Sequence, residues 1–327
     1  MFRVSLLTVC VAAFGSVVSA ATCTPTGFIR DNINMTAVLI NPSGTVSGDI
    51  DATGCNIGIY YDHGKGQVKN ASVHDANYFG IAVNGDLASV SVDVINTNVH
   101  DIGEKPFDGT QHGVGIYYRA FGVGSTSSKI TGNTVARYQK GGIVVNGNSD
   151  SNISDNIVTG LGRVDFIAGN GIQVGYGASA QVMRNTVTGN AYTGANGASS
   201  GGILVFGGDC YGGAFTTGTQ IVGNTLVNND VGAYLSNLDT SCLAPLTATN
   251  IKVVNNTITN DALSNISGDG GTQGYQAGVS DVGNNDKIIN NNISGLGYST
   301  VNTPTMYAID IDASTTFTNR PKVHANK

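Results

Sequence analysis

The chain has 327 residues, of which 46 are glycine and, by count, 35 are asparagine; charged residues make up only 12%, tryptophan is absent, 40% of residues are hydrophobic and the formal net charge is −6. This excludes collagen, whose glycine recurs every third position, and a charged disordered tail. It also excludes a helical bundle, because glycine and asparagine cost a helix interior about 0.5–1 kcal/mol each relative to alanine. What remains is a long, turn-rich β protein whose acidic balance argues against a nucleic-acid partner.

The first element is a leader. Met1-Phe2-Arg3 gives a basic start, Val4 to Val18 is an apolar run, and Val18-Ser19-Ala20 places small residues before Ala21, the pattern of a secretory signal peptide over residues 1–20. No other stretch reaches 18 apolar residues, so no membrane span is expected and the protein is placed outside the cell or in a periplasm. Residues 21–327 then form one domain, with a cap over 21–45, coils over 46–314 and a tail over 315–327.

From residue 58 onward a short pattern recurs: glycine, then isoleucine or valine, then alternating residues. It reads Gly58-Ile59-Tyr60-Tyr61, Gly80-Ile81-Ala82-Val83, Gly115-Ile116-Tyr117-Tyr118, Gly142-Ile143-Val144-Val145, Gly171-Ile172-Gln173-Val174 and Gly202-Ile203-Leu204-Val205, with later copies at Gly232, Gly278 and Ala308. A second pattern, apolar-x-x-Asn-x-apolar, lies between these copies, with its asparagine at Asn133, Asn156, Asn185, Asn224, Asn256 and Asn291. Two short period-2 strands per repeat cannot bury a core alone, but stacked coils can. The expectation is a right-handed parallel β-helix of roughly ten coils. Its asparagines should sit inward at a turn, accept a left-handed backbone and bond to one another between coils.

Cleavage of the leader leaves four cysteines, an even number in an exported chain. Cys23 and Cys55, and likewise Cys210 and Cys242, lie 32 residues apart, about one coil. Cys210 and Cys242 follow successive Gly-Ile strands at equal phase, so their loops should be neighbours; Cys23 should tie the cap to the first coil at Cys55.

Copies such as Ile130-Thr131-Gly132-Asn133-Thr134-Val135 followed by Gly141-Gly142-Ile143-Val144-Val145-Asn146-Gly147 resemble the secreted, pectin-lyase-like right-handed β-helix proteins, over about residues 45–315. That superfamily includes polyuronate lyases, polysaccharide hydrolases and alginate epimerases. The resemblance implies a polysaccharide partner, bound in a groove along the stacked strands. It specifies a scaffold and leaves the reaction open.

Long connections at 100–114, 159–170 and 188–201 should wall such a groove. With Ile59 and Tyr61 pointing inward, Tyr60 and Asp62 point outward, followed by Asn84, Tyr117 and Arg119, Asn146, and Gln173. The richest segment, Asp101 to Arg119, places Glu104, Lys105, Asp108 and His112 in one loop ahead of Tyr117 and Arg119. Lyases and epimerases need a base for the C5 proton, a cation on the uronate and an opposing acid. Asp108, His112, Tyr117 and Arg119 are therefore the catalytic candidates, and Tyr60, Asp62, Asn84, Lys105, Lys140, Asn146 and Gln173 the substrate-binding ones. A hydrolase would need two carboxylates, which Asp62, Glu104 and Asp108 offer.

His74-Asp75 and His100-Asp101 recur one coil apart as polar turns or as a metal or proton-transfer site. Clustered carboxylates leave calcium open as a cofactor, but no metal set or nine-residue calcium repeat is legible. The leading expectation is a carbohydrate-active β-helix that binds an acidic polysaccharide and cleaves or epimerises it. The competing ones are a non-catalytic adhesin or structural surface protein, and a glycoside hydrolase.

Overall fold

The structure, a computed structural model, describes residues 22–194, 197–261, 275–299, 306–311 and 322–327; the leader at 1–20 and residues 315–321 of the expected tail lie outside these. Among the described residues the chain is built of strands, with two single-turn 3₁₀ segments and no α-helix. Each circuit contributes a strand to three ladders. One ladder is an 11-stranded sheet that runs from Thr24–Arg30 to Met306–Ile311. The other two lie within a 17-stranded sheet, where the long strand Gly64–His74 pairs with both Val90–Ile95 and Asn98–Ile102. Apart from the first pair, Thr24–Arg30 with Ile33–Ile40, every pairing is parallel. Successive parallel strands one circuit apart make a β-helix.

The core follows from the repeat. Ile59, Ile81, Ile116, Ile143, Ile172, Ile203, Ala233 and Val279 lie in register on adjacent strands and are fully buried. Val68, Val94, Ile130, Ile153, Val182, Ile221, Val253 and Ile288 face them from the second sheet. The glycine opening each strand has a steric cause. A Cβ on Gly58, Gly80, Gly115, Gly142, Gly171, Gly202 or Gly232 would lie 2.5–2.8 Å from the carbonyl oxygen of the glycine in the next circuit. Only glycine lets the backbones stack there.

At the corner within the larger sheet, Asn133, Asn156, Asn185, Asn224, Asn256 and Asn291 donate in turn from Nδ2 to the next asparagine's Oδ1 at 2.8–3.0 Å, ending on Asn326. Each amide also donates to a core-strand carbonyl, as Asn156 does to Ile130. These buried polar groups are therefore satisfied in both directions. The left-handed backbone falls one residue earlier than expected, at Gly132, Asp155, Arg184, Gly223, Asn255 and Asn290. The preceding residue makes the bend, which leaves the asparagine extended and pointing inward. Both disulfides pair as expected, Cys23–Cys55 and Cys210–Cys242, with Cα atoms 5.4 and 5.1 Å apart.

Candidate functional site

The outer face of the 11-stranded sheet is not open along its whole length. The strand Thr24–Arg30 lies over the first circuits: Phe28 stacks on Tyr60 with ring centroids 6.0 Å apart and packs on Phe79 at 6.4 Å. Outward-pointing Tyr60 is 1% exposed and Ala82 2%. Burial pushes the Tyr60 phenol up to about 12, and its oxygen accepts from Asn84 Nδ2. Arg119 lies over the Phe28 and Phe121 rings and pairs with Asp86 at 2.8 Å. Asp62 bonds to Asn41 and His63. The expectation that Tyr60, Asp62, Asn84 and Arg119 line an open groove is corrected. An aromatic cap covers Tyr60, Asn84 bonds to its hydroxyl, and Asp62 and Arg119 engage local partners.

Further along the same face lies a groove of about 500 Å³. Its floor is the register row Tyr117, Val144, Gln173, Leu204 and Tyr234, with Asn146, Phe206 and Ser236 two residues on. Connections entering the strands supply Gln111, His112 and Lys140, the first residue of the strand Asn170–Gly175 supplies Asn170, and connections leaving the strands supply Phe121, Tyr176 and Tyr211. Phe121, Tyr176, Phe206 and Tyr211 meet edge to face in sequence, with centroids 5.6, 4.6 and 5.1 Å apart, the arrangement that aromatic quadrupoles favour. Arg30 closes one end, with Nη1 3.5 Å from the Tyr117 hydroxyl. Among the described residues no Asp or Glu lines the groove; its ionisable nitrogens belong to Arg30, His112 and Lys140.

Of the expected residues, His112, Tyr117, Lys140, Asn146 and Gln173 meet at this groove. His112 is 7% exposed, stacks on Tyr78 at 3.8 Å and has Nε2 2.8 Å from Glu104 Oε1. Lys140 Nζ donates to the Ala168 carbonyl, and burial holds its ammonium below the usual lysine range. Gln173 Nε2 donates to Asn146 Oδ1.

Asp108 and Lys105 lie elsewhere. Asp108 is exposed and folds its own loop, accepting from the amide and hydroxyl of Thr110. Lys105 pairs with Asp75 at 2.7 Å and donates to the Asp101 carbonyl. The loop is organised by buried Gln139, whose Oε1 accepts from the amides of Glu104 and Asp108 and whose Nε2 donates to Thr110.

Leu204, Phe206, Tyr234 and Ser236 were legible, because the alternation that reaches Gln173 continues into the next two copies of the repeat. Arg30, Tyr176 and Tyr211 carry no periodic signal.

The two His-Asp turns stack, with the rings of His74 and His100 5.1 Å apart. Asp51, His74 and Asp75 form the one group of three potential metal ligands among the described residues. Two carboxylates and an imidazole fall short of the six to eight oxygens calcium takes, and Lys105 already neutralises Asp75. The set fits calcium poorly.

No protein-family model matches the chain, and no curated protein matches it. Among solved structures, the crystal structure of the Dettilon tailspike protein (gp208) is similar, at 14% identity and a TM-score of 0.38, with 84% of this chain and 61% of that chain covered. The chain thus spans less than two thirds of that protein's length.

Proposed function

We propose that this is an exported β-helix whose groove binds an extended acidic polysaccharide and removes the proton next to the uronate carboxylate, the step shared by β-elimination and C5 epimerisation. The carrying observation is the lining of the groove: among the described residues it consists of aromatic rings, side-chain amides and three basic side chains, with no carboxylate. Pyranose rings present apolar C–H faces to aromatic planes and hydroxyls to amides, and Arg30 and Lys140 attract the carboxylates. Glu104 bonded at Nε2 orients His112 and leaves Nδ1 to take the C5 proton. The Tyr117 hydroxyl then gives a proton to the departing O4 in elimination, or to the opposite face of C5 in epimerisation. Arg30 and Lys140 take the neutralising part expected of Arg119 and Lys105, and Asp108 holds the loop. Hydrolysis is disfavoured because it needs two carboxylates at the bond.

In this reading the chain is a right-handed, pectin-lyase-like β-helix of roughly ten coils, released by cleavage after residue 20, with 21–45 as cap and 315–327 as tail. A second reading, binding without chemistry, is favoured by the engagement of Asp108 and Arg119 with local partners.

The test incubates the protein with oligogalacturonate, alginate and glucuronan. It follows the ultraviolet band of unsaturated uronates, C5 epimerisation by NMR, and binding by calorimetry. His112→Ala and Tyr117→Phe should abolish turnover, and Tyr234→Ala should weaken binding. Binding lost in Tyr234→Ala without any turnover by the unaltered protein selects the second reading. No binding to any of the three polymers overturns both.

A further inference from the structure

A different face of the molecule carries an unpaired row of positive charge. Lys252, Lys287 and Lys322 lie in register on the neighbouring strands Lys252–Val254, Lys287–Ile289 and Lys322–His324 of the 17-stranded sheet. Lys252 and Lys287 point away from the core, because the next residues, Val253 and Ile288, are fully buried; Lys322 is exposed and pairs in register with Lys287 on the last strand. Adjacent strands are about 4.8 Å apart, and like charges directly opposite one another destabilise a sheet. Among the described residues none of the three has a carboxylate partner: the ion pairs of the molecule involve other residues. The row continues as Gln220 and Gln181 on the strands Gln220–Val222 and Ser179–Met183. No Asp or Glu occurs in any of these five strands, although the whole chain is acidic, with a pI of about 5.2. Two residues further along each strand runs a parallel, half-buried apolar row, Met183, Val222, Val254 and Ile289.

We infer that this double row is a second binding track, distinct from the groove, for a linear anionic glycan lying along the helix axis. The repeat of the ligand runs with the repeat of the coils. Each ammonium meets a carboxylate, the amides of Gln220 and Gln181 meet hydroxyls, and the apolar row takes the ring faces. Neutralisation of the stacked lysines supplies the attraction, which salt screens beyond about 8 Å at physiological ionic strength. A single-stranded nucleic acid would call for aromatic stacking platforms, and the track has none. It does not depend on the groove being a site.

The experiment titrates the full chain with oligogalacturonate and with its methyl ester at low and physiological salt. It uses the triple variant K252Q/K287Q/K322Q, the single reversal Lys287→Glu and the groove variant Tyr234→Ala. The track predicts at least a tenfold weaker affinity in the triple variant, with a flatter salt dependence. It predicts a larger loss per residue in Lys287→Glu, and a residual salt-sensitive binding component in Tyr234→Ala. Melting temperature should hold or rise as the repulsion is relieved. Binding unchanged in both lysine variants overturns the track, as does equal binding of the methyl ester. So does binding of a short single-stranded DNA or an anionic vesicle as tight as that of the glycan. Loss in Tyr234→Ala alone overturns the track while sparing the groove.

Discussion

Asp281 and Asp286 show at the residue scale what burial without a counter-ion does. Both are fully buried. Asp286 Oδ1 accepts from the Thr249 hydroxyl and the Ile251 amide, whereas among the described residues Asp281 has no cation or hydroxyl beside it and meets only the Gly283 amide and the Asp286 carboxyl. Burial, and then the neighbouring Asp286 charge, pushes the Asp281 carboxyl well above the carboxylate range; burial also raises Asp286. A carboxyl raised on folding stabilises the fold at pH values below its ordinary range. As pH climbs toward the folded value the unfolded chain ionises first, so that stability is lost. Thermal unfolding followed against pH should therefore show a decline that begins at about pH 4, where the unfolded carboxyl ionises, and continues as pH rises toward the folded value; Asp281→Asn should flatten it and melt higher than the parent at the alkaline end. A variant that melts lower there would mean the pair is ionised and compensated. Asp75 and Asp101 have the opposite sign. Burial raises both, but hydrogen bonds from Lys105 and His74, and from His100 and Arg137, outweigh it and hold them below the usual range. Their contribution is present above about pH 4 and fades in acid.

At the scale of elements, the loop 103–113 depends on a residue outside it. Gln139→Ala removes the acceptor for two loop amides and the donor to Thr110, and losing these part-buried hydrogen bonds costs about 1–3 kcal/mol in all. Chemical denaturation should read a loss of that size, and glycan binding should weaken as His112 loses its support. Unchanged binding would place the groove's recognition wholly on the strands. Asn185→Ala, in the middle of the asparagine row, removes the acceptor shared by the Asn156 backbone amide and its Nδ2 and should cost about 1–3 kcal/mol without touching the groove. The asparagine row was legible because every member sits at one phase of the repeat. Gln139 as a loop organiser was not, because it reaches the loop from 29–35 residues away through coil stacking.

For the whole molecule, stacked circuits contact only their neighbours, so local losses can stay local. The Cys210–Cys242 bridge joins the connections after two adjacent strands, Gly201–Gly207 and Val231–Asn237. Tyr211, next to Cys210, walls the groove. Replacing both cysteines with serine should cost about 3–4 kcal/mol on the chain-entropy account for a loop of this length. It should also loosen Tyr211, read as weaker glycan binding with the strand circular dichroism retained. Removing residues 22–31 should bare Tyr60 and Phe79, which calorimetry with an aromatic-binding dye would detect as new apolar surface.

Periodicity alone specified the stacked strands, the inward isoleucine and valine rows, the glycine that begins each strand and the Cys210–Cys242 pair. A repeat near 31 residues sets each of these by register with its own copy one circuit away. Only the tertiary structure decided which outward residues meet a ligand. The antiparallel strand Thr24–Arg30 has no counterpart in the repeat, and its Phe28 covers Tyr60 while its Arg30 closes the groove at Tyr117. Periodicity places residues relative to their copies, but it cannot place a segment that occurs once; that position is set by where its aromatic and charged side chains find surface to bury.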